Sequence, residues 1–181
     1  PLGVIANAGA TVAVYADLPG DEPVYIVPSQ FYGETGAWKG TPVRLENGRN
    51  YINVEKIGSL SDTRGGMLYV TYAGGEPDKI KIHVLAEYGK ETSGAKVTIA
   101  PILEMSDWYK LSEAQRKERI SSYIDELKTY INGSESDSWK KTGIRNATEI
   151  STPSVLLSVP ATQVLAGLGG RTEDTAVMTQ N

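Results

Sequence analysis

The sequence predicts a mainly β chain: an antiparallel β-sandwich or jelly roll over residues 1–104, one α-helix and a polar linker over 105–151, and the start of a second domain over 152–181. Three observations carry this. Short β-branched and aromatic segments recur through the first half, each closed by Gly, Pro, Asn or Asp. With 19 Gly and 10 Tyr but 1 Phe, the composition suits short strands joined by tight turns better than a helical bundle. After Leu111 the apolar residues recur at helical spacing.

Residues 11–16 read as a strand, and Leu18-Pro19-Gly20-Asp21 supplies the turn that stops it. The same grammar recurs at 24–28, 41–45, 50–54, 67–72, 79–85 and 96–100, about seven short strands in all. The segment from Lys79 alternates strictly, which sends Ile80, Ile82 and Val84 to a core and Lys79, Lys81 and His83 to solvent. A helix is then expected from Ser112, the N-cap, with Gln115 completing a capping box and Gly133 as the stop. Ile120, Ile124, Leu127 and Ile131, broadened by Tyr123 and Tyr130, form its buried stripe, leaving Arg116, Lys117, Glu118, Asp125 and Lys128 on a solvated face. Residues 133–141 read as a polar loop, 154–160 as an extended apolar segment, and 162–168 as the opening of a helix before Gly169-Gly170.

Charge and composition exclude several function classes. Lys and Arg number 18 against 22 Asp and Glu, so the net charge of −4 provides no basic face for a nucleic acid. With no cysteine there is no disulfide framework, thiolate metal site or cysteine nucleophile. No apolar run approaches the roughly 20 residues of a membrane span. The opening Pro1-Leu2-Gly3 has neither the charged start nor the apolar centre of a signal, as expected of a mature or trimmed product.

The candidate motifs are few. Gly65-Gly66 precede a strand, whereas the glycines of a phosphate loop follow a strand and open a helix. They read as a turn or bulge where backbones approach closely. The single histidine, His83, cannot build a two-histidine zinc site or an H-E-x-x-H helix, and no G-x-S-x-G elbow accompanies it. Asp17, Asp21 and Glu22 flank one turn but lack the dense oxygen spacing of a calcium loop, so they read as solvated turn acids. Phe31-Tyr32-Gly33-Glu34-Thr35-Gly36-Ala37-Trp38-Lys39 places aromatics in a Gly-rich loop. Tyr32 and Trp38 are the candidate ligand-binding residues, by stacking on carbohydrate or by protein contact; the alternative is that Phe31 and Trp38 cap the core. Asn132-Gly133-Ser134 and Asn146-Ala147-Thr148 satisfy the short N-glycosylation pattern. No catalytic or metal-binding residue is assigned.

The segment from Gly3 to Asp17, GVIANAGATVAVYAD, resembles the opening of the enhancin-like, mucin-targeting zinc metallopeptidases (metallopeptidase family sixty). Gly65-Gly66-Met67-Leu68-Tyr69-Val70 is similar to that family's glycine-pair strand, and the alternating strand from Lys79 to Leu85 fits the one after it. Ala100-Pro101 and Asp107-Trp108 resemble its linker, and Val155-Leu156-Leu157-Ser158-Val159-Pro160 its lead into the catalytic region. The resemblance implies a galactose-binding-like sandwich that braces a secreted or cell-surface bacterial peptidase acting on mucin-type or other glycoproteins. H-E-x-x-H is absent from this chain. The resemblance therefore implies a non-catalytic amino-terminal piece, with zinc only in a downstream peptidase domain and with that domain and glycans as partners. Apolar surface between Val155 and Val164 is then expected to lie open. The alternatives are a self-contained carbohydrate- or protein-binding module using Tyr32 and Trp38, and a structural adhesin domain.

Overall fold

In the computed structural model, which describes residues 1–6, 8–29, 39–55, 66–85, 97–132 and 146–169, the chain forms two units, Pro1–Ile99 and Ala100–Asn181, each with its own core. The first unit contains strands β1 (Val4–Ala6), β2 (Thr11–Asp17), β3 (Val24–Ser29), β4 (Val43–Arg44), β5 (Gly48–Asn53), β6 (Gly66–Tyr72), β7 (Lys81–Val84) and β8 (Val97–Ile99). They form a five-stranded sheet, β4-β3-β6-β1-β8, and a three-stranded sheet, β5-β2-β7. Every pairing in both is antiparallel.

Alternation explains how the two sheets share one core. Val12, Val14 and Ala16 of β2 and Ile52 of β5 are buried from one sheet, and Val4, Val24, Ile26 and Leu68 from the other, all in a single cluster. This is the arrangement of a β-sandwich. Each fully buried Val, Leu or Ile contributes roughly 1.5–3 kcal/mol of burial free energy, so the cluster is the main source of this unit's stability. Ile80, Ile82 and Val84 pack against it as the alternation predicts, while Lys81 and His83 are exposed. Lys79 instead closes a 3-10 turn over Pro77–Lys79, because Pro77 presets the turn before the strand begins.

The turn into β5 is fixed locally. The Asn50 side chain accepts from Glu46 N–H (2.9 Å) and donates to the Glu46 and Gly48 carbonyls (2.8 and 3.0 Å). Gly48 sits at φ +95, a conformation that a Cβ would strain. At Gly66 the constraint is space, since an ideal Cβ there would lie 2.6 Å from Ser29 N and 2.7 Å from Ser29 O on the backbone of β3. The close-approach reading of this glycine holds, and its partner Gly65 lies outside the described residues.

The second unit contains β9 (Ile102–Glu104), α1 (Glu113–Asn132), β10 (Thr148–Ser151), β11 (Leu156–Val159) and α2 (Ala161–Leu168). β10 is the central strand, parallel to β9 and antiparallel to β11. The chain thus has a parallel pair that the sequence did not predict, while α2 forms where residues 162–168 read as the opening of a helix. The capping box forms as read: Gln115 N–H donates to Ser112 Oγ (3.3 Å), and Ser112 N–H to Gln115 Oε1 (2.9 Å). Ile120, Tyr123, Ile124 and Leu127 are buried along one stripe of α1 and pack with Leu103, Trp108 and Ala161. Arg116 departs from the solvated face. Its guanidinium lies over the Trp108 ring, 5.5 Å from the centroid, and its Nε donates to the Trp108 carbonyl (3.0 Å).

Two polar ties join these elements. Thr148 gives its one hydroxyl proton to the Pro101 carbonyl (2.7 Å), so the Tyr123 hydroxyl is the donor to Thr148 Oγ1 (2.8 Å). Burial holds the Tyr123 hydroxyl above the usual phenol range, which keeps it protonated for that role. Arg119 of α1 grips the Asp107 carboxylate with both terminal nitrogens, Nη2 at 3.2 Å from Oδ2, and donates to the Glu104 carbonyl (3.0 Å). The hydrogen bonds from Arg119 hold the Asp107 carboxyl below its ordinary range.

Two outcomes follow. Gly66→Ala must push β6 away from β3 and should lower stability by about 1–3 kcal/mol in a urea titration; an unchanged midpoint would show that the strands have room to spare. Because the Asp107 pKa is depressed in the folded state, its stabilising contribution is present above the unfolded aspartate value, about 3.9, and is lost as pH falls through the lower folded value. Arg119→Ala should therefore move the Asp107 carboxyl titration, followed by NMR, up towards the ordinary range and flatten the acid limb of stability. An ordinary Asp107 titration in the unaltered chain would contradict the clamp.

Candidate functional site

Tyr32 and Trp38, the residues singled out for ligand binding, lie outside the described residues, as does Phe31. Gly66 opens a strand, paired with Ala6, and no helix follows it. Asp17, Asp21 and Glu22 are exposed, and Glu22 accepts a hydrogen bond from the Tyr72 hydroxyl (3.1 Å). Among the described residues no group of three His, Cys, Asp or Glu side chains comes together to hold a metal ion. In the second glycosylation pattern, Asn146 spends its side chain on Thr162, accepting from its N–H (2.9 Å) and donating to its hydroxyl (2.8 Å), while Thr148 is fully buried. A glycan on Asn146 would displace this clamp at the start of α2.

Two exposed tyrosines lie instead on the outer face of the sheet β5-β2-β7. Burial of Val12, Val14 and Ala16 turns Tyr15 outward, and burial of Ile52 turns Tyr51 outward; they are 51 % and 60 % exposed. Register sets their neighbours. Tyr15 lies between Arg49 on β5 and His83 on β7, and Tyr51 lies opposite Ala13. The two tyrosines are thus diagonal neighbours, about 7–8 Å apart with their Cβ atoms somewhat closer, and their rings are within reach of one ligand. Leu85, bonded through its N–H to the Ala13 carbonyl (2.7 Å), adds a further open apolar side chain.

This face combines aromatic surface for stacking with the donors of Arg49 and His83, a chemistry suited to a sugar ring or a polar peptide. His83 lies beside Tyr15, which stands between it and Arg49, with no serine or carboxylate directly opposite it in the register. Sequence reading placed both strands but did not single out Tyr15 or Tyr51. The signal was present, since each occupies the outward phase of a strand whose inward phase is aliphatic.

In the second unit a cavity of about 330 Å³ is lined by residues that include Glu104, Ser106, Asp107, Arg119, Ser122 and Glu126. Its cation is already committed, because Arg119 is paired with Asp107 and bonded to the Glu104 carbonyl. Glu104 in turn accepts from Ser106 N–H (2.9 Å). The cavity is the outer side of a structural clamp. Glu149 is fully buried on β10 and accepts from the Ser158 hydroxyl directly across the ladder (2.9 Å), a pairing that sequence reading did not anticipate.

No family model matches the chain, and no curated protein matches it. Solved structures do. The ZmpB metallopeptidase from Clostridium perfringens superposes with a TM-score of 0.61 at 21% identity, over 94% of this chain and 31% of its own. The M60 catalytic domain of Clostridium perfringens ZmpC, in complex with the sialyl T antigen, gives 0.61 at 20% identity over 94% and 30%. A metallopeptidase from Bacteroides thetaiotaomicron gives 0.54 at 16% identity over 91% and 22%. At these identities the likeness is one of fold. The chain therefore has the fold of one segment of M60-like metallopeptidase structures, and it spans less than a third of each.

Proposed function

We propose that this chain is the non-catalytic amino-terminal portion of an enhancin-like zinc metallopeptidase, secreted or held at the cell surface, that acts on mucin-type or other glycoproteins. Its first unit is a galactose-binding-like jelly roll that braces the peptidase and aids substrate presentation. The observation that carries this reading is the likeness of fold across 94% of the chain to a metallopeptidase of which that segment is only 31%. The sequence supports the non-catalytic part, since its one histidine cannot build a histidine-paired zinc site. The glycan complex of the ZmpC domain supports the substrate class.

A second reading, a self-contained carbohydrate-binding module, is favoured by the open pair Tyr15 and Tyr51 beside Arg49 and His83. In this reading Tyr32 and Trp38, the aromatics singled out from sequence, are further candidate ligand contacts.

The two readings separate experimentally. Extending the encoding reading frame past Asn181 should reveal H-E-x-x-H with a downstream glutamate; a frame without that motif sinks the first reading. The purified chain should hold no stoichiometric zinc, and elemental analysis finding one tightly bound zinc per chain would overturn its non-catalytic role. For the second reading, calorimetry with mucin-type glycopeptides should show binding that Tyr51→Ala or Trp38→Ala weakens about tenfold or more while the fold is retained. Affinity unchanged in both variants removes it.

A further inference from the structure

Strand β11 does not have the character of an outer strand. Successive strand residues point to opposite faces, and Leu156 and Leu157 are 39 % and 48 % exposed, so apolar surface lies open on both faces of β11. Val155, just before it, is 51 % exposed. None of the three belongs to the core cluster that encloses Leu103, Ile124 and Leu127, although Ala161 and Val164, a few residues on, do pack there. A strand apolar on both faces is the pattern of an inner strand covered from two sides. Outer strands protect themselves with charge or proline, and β11, Leu-Leu-Ser-Val, carries neither.

The ladder shows which backbone groups are open. Thr152 N–H donates to the Val155 carbonyl (2.9 Å), closing the hairpin between β10 and β11. In an antiparallel ladder bonded and non-bonded pairs alternate, so with Ser151 opposite Leu156 and Ile150 opposite Leu157, the Ile150–Leu157 pair is the next bonded one. Leu156 and Ser158 therefore turn their N–H and C=O groups away from β10. Among the described residues no strand takes that edge.

We infer that the free edge of β11 receives a further β-strand from the peptidase portion of the longer polypeptide, whose layers cover Leu156 on one face and Leu157 on the other. The inference rests on the reading that a peptidase portion follows. Length favours that occupant, because this chain covers only 31% of the ZmpB metallopeptidase whose fold it shares. Charge disfavours a second copy, since two chains of net charge −4 would have to meet edge to edge.

Amide hydrogen exchange tests the docking separately from the function. In the 181-residue chain the Leu156 and Ser158 amides should exchange about as fast as open backbone, and in the polypeptide extended through its peptidase region they should slow by about 100-fold or more. A frame that extends into H-E-x-x-H while both amides stay fast overturns the docking alone; a frame that ends at Asn181 overturns both. Protection already present in the short chain, with a dimeric mass in light scattering, assigns the edge to a second copy and also overturns the inference. Leu156→Asp gives an independent readout: the melting temperature should be unchanged in the short chain and lowered in the extended one. Equal effects in the two contexts would count against an added strand.

Discussion

The two-residue period of β2 is the constraint on which the first unit depends. Val12, Val14 and Ala16 are fully enclosed, so Thr11, Tyr15 and Asp17 have no choice but to face out, and Ala13 with them. A slip of one residue would bury Tyr15 and Asp17 and expose the aliphatic set, which the burial free energy of the core forbids. Because β2 is the central strand of its sheet, its phase also sets that of β5 and β7 through their register. The aromatic face is thus the reverse side of the core.

The second unit is organised differently, around polar groups that have been taken out of water. Thr148 and Glu149 are both fully buried on the central strand β10, a placement that is unfavourable unless their hydrogen bonds are made. The Pro101 carbonyl and the Tyr123 hydroxyl meet at Thr148, and the Ser158 hydroxyl meets Glu149, so these bonds tie β10 to α1, to β11 and to the residue just before β9. Apolar packing of Leu127 and Ile124 drives this unit together; the buried polar groups select its register.

Much of the fold was legible in local sequence. The strict alternation from Ile80 to Val84, the capping box of Ser112 and Gln115, and the stripe of Ile120, Ile124 and Leu127 each follow from a few neighbouring residues, and each forms as read. β1, β9 and β10 were not read as strands because each is only 3 or 4 residues long, too short for a period to show. The parallel pairing of β9 with β10 joins distant parts of the chain and leaves no local mark. For the candidate site, Tyr15 and Tyr51 were visible as outward-phase residues of two strands, but nothing local says that those strands are neighbours.

By itself the sequence determined the strand phases, the start of α1 and the absence of cysteine chemistry and of H-E-x-x-H, because these depend on residue type and near spacing alone. The tertiary structure decided which outward residues share a face, that Arg119 is committed to Asp107, and that β11 presents apolar side chains on both faces with an open edge. The physical reason is range. Periodicity and capping act within a few residues, whereas register, burial and the satisfaction of buried polar groups are set by segments that meet only when the chain folds.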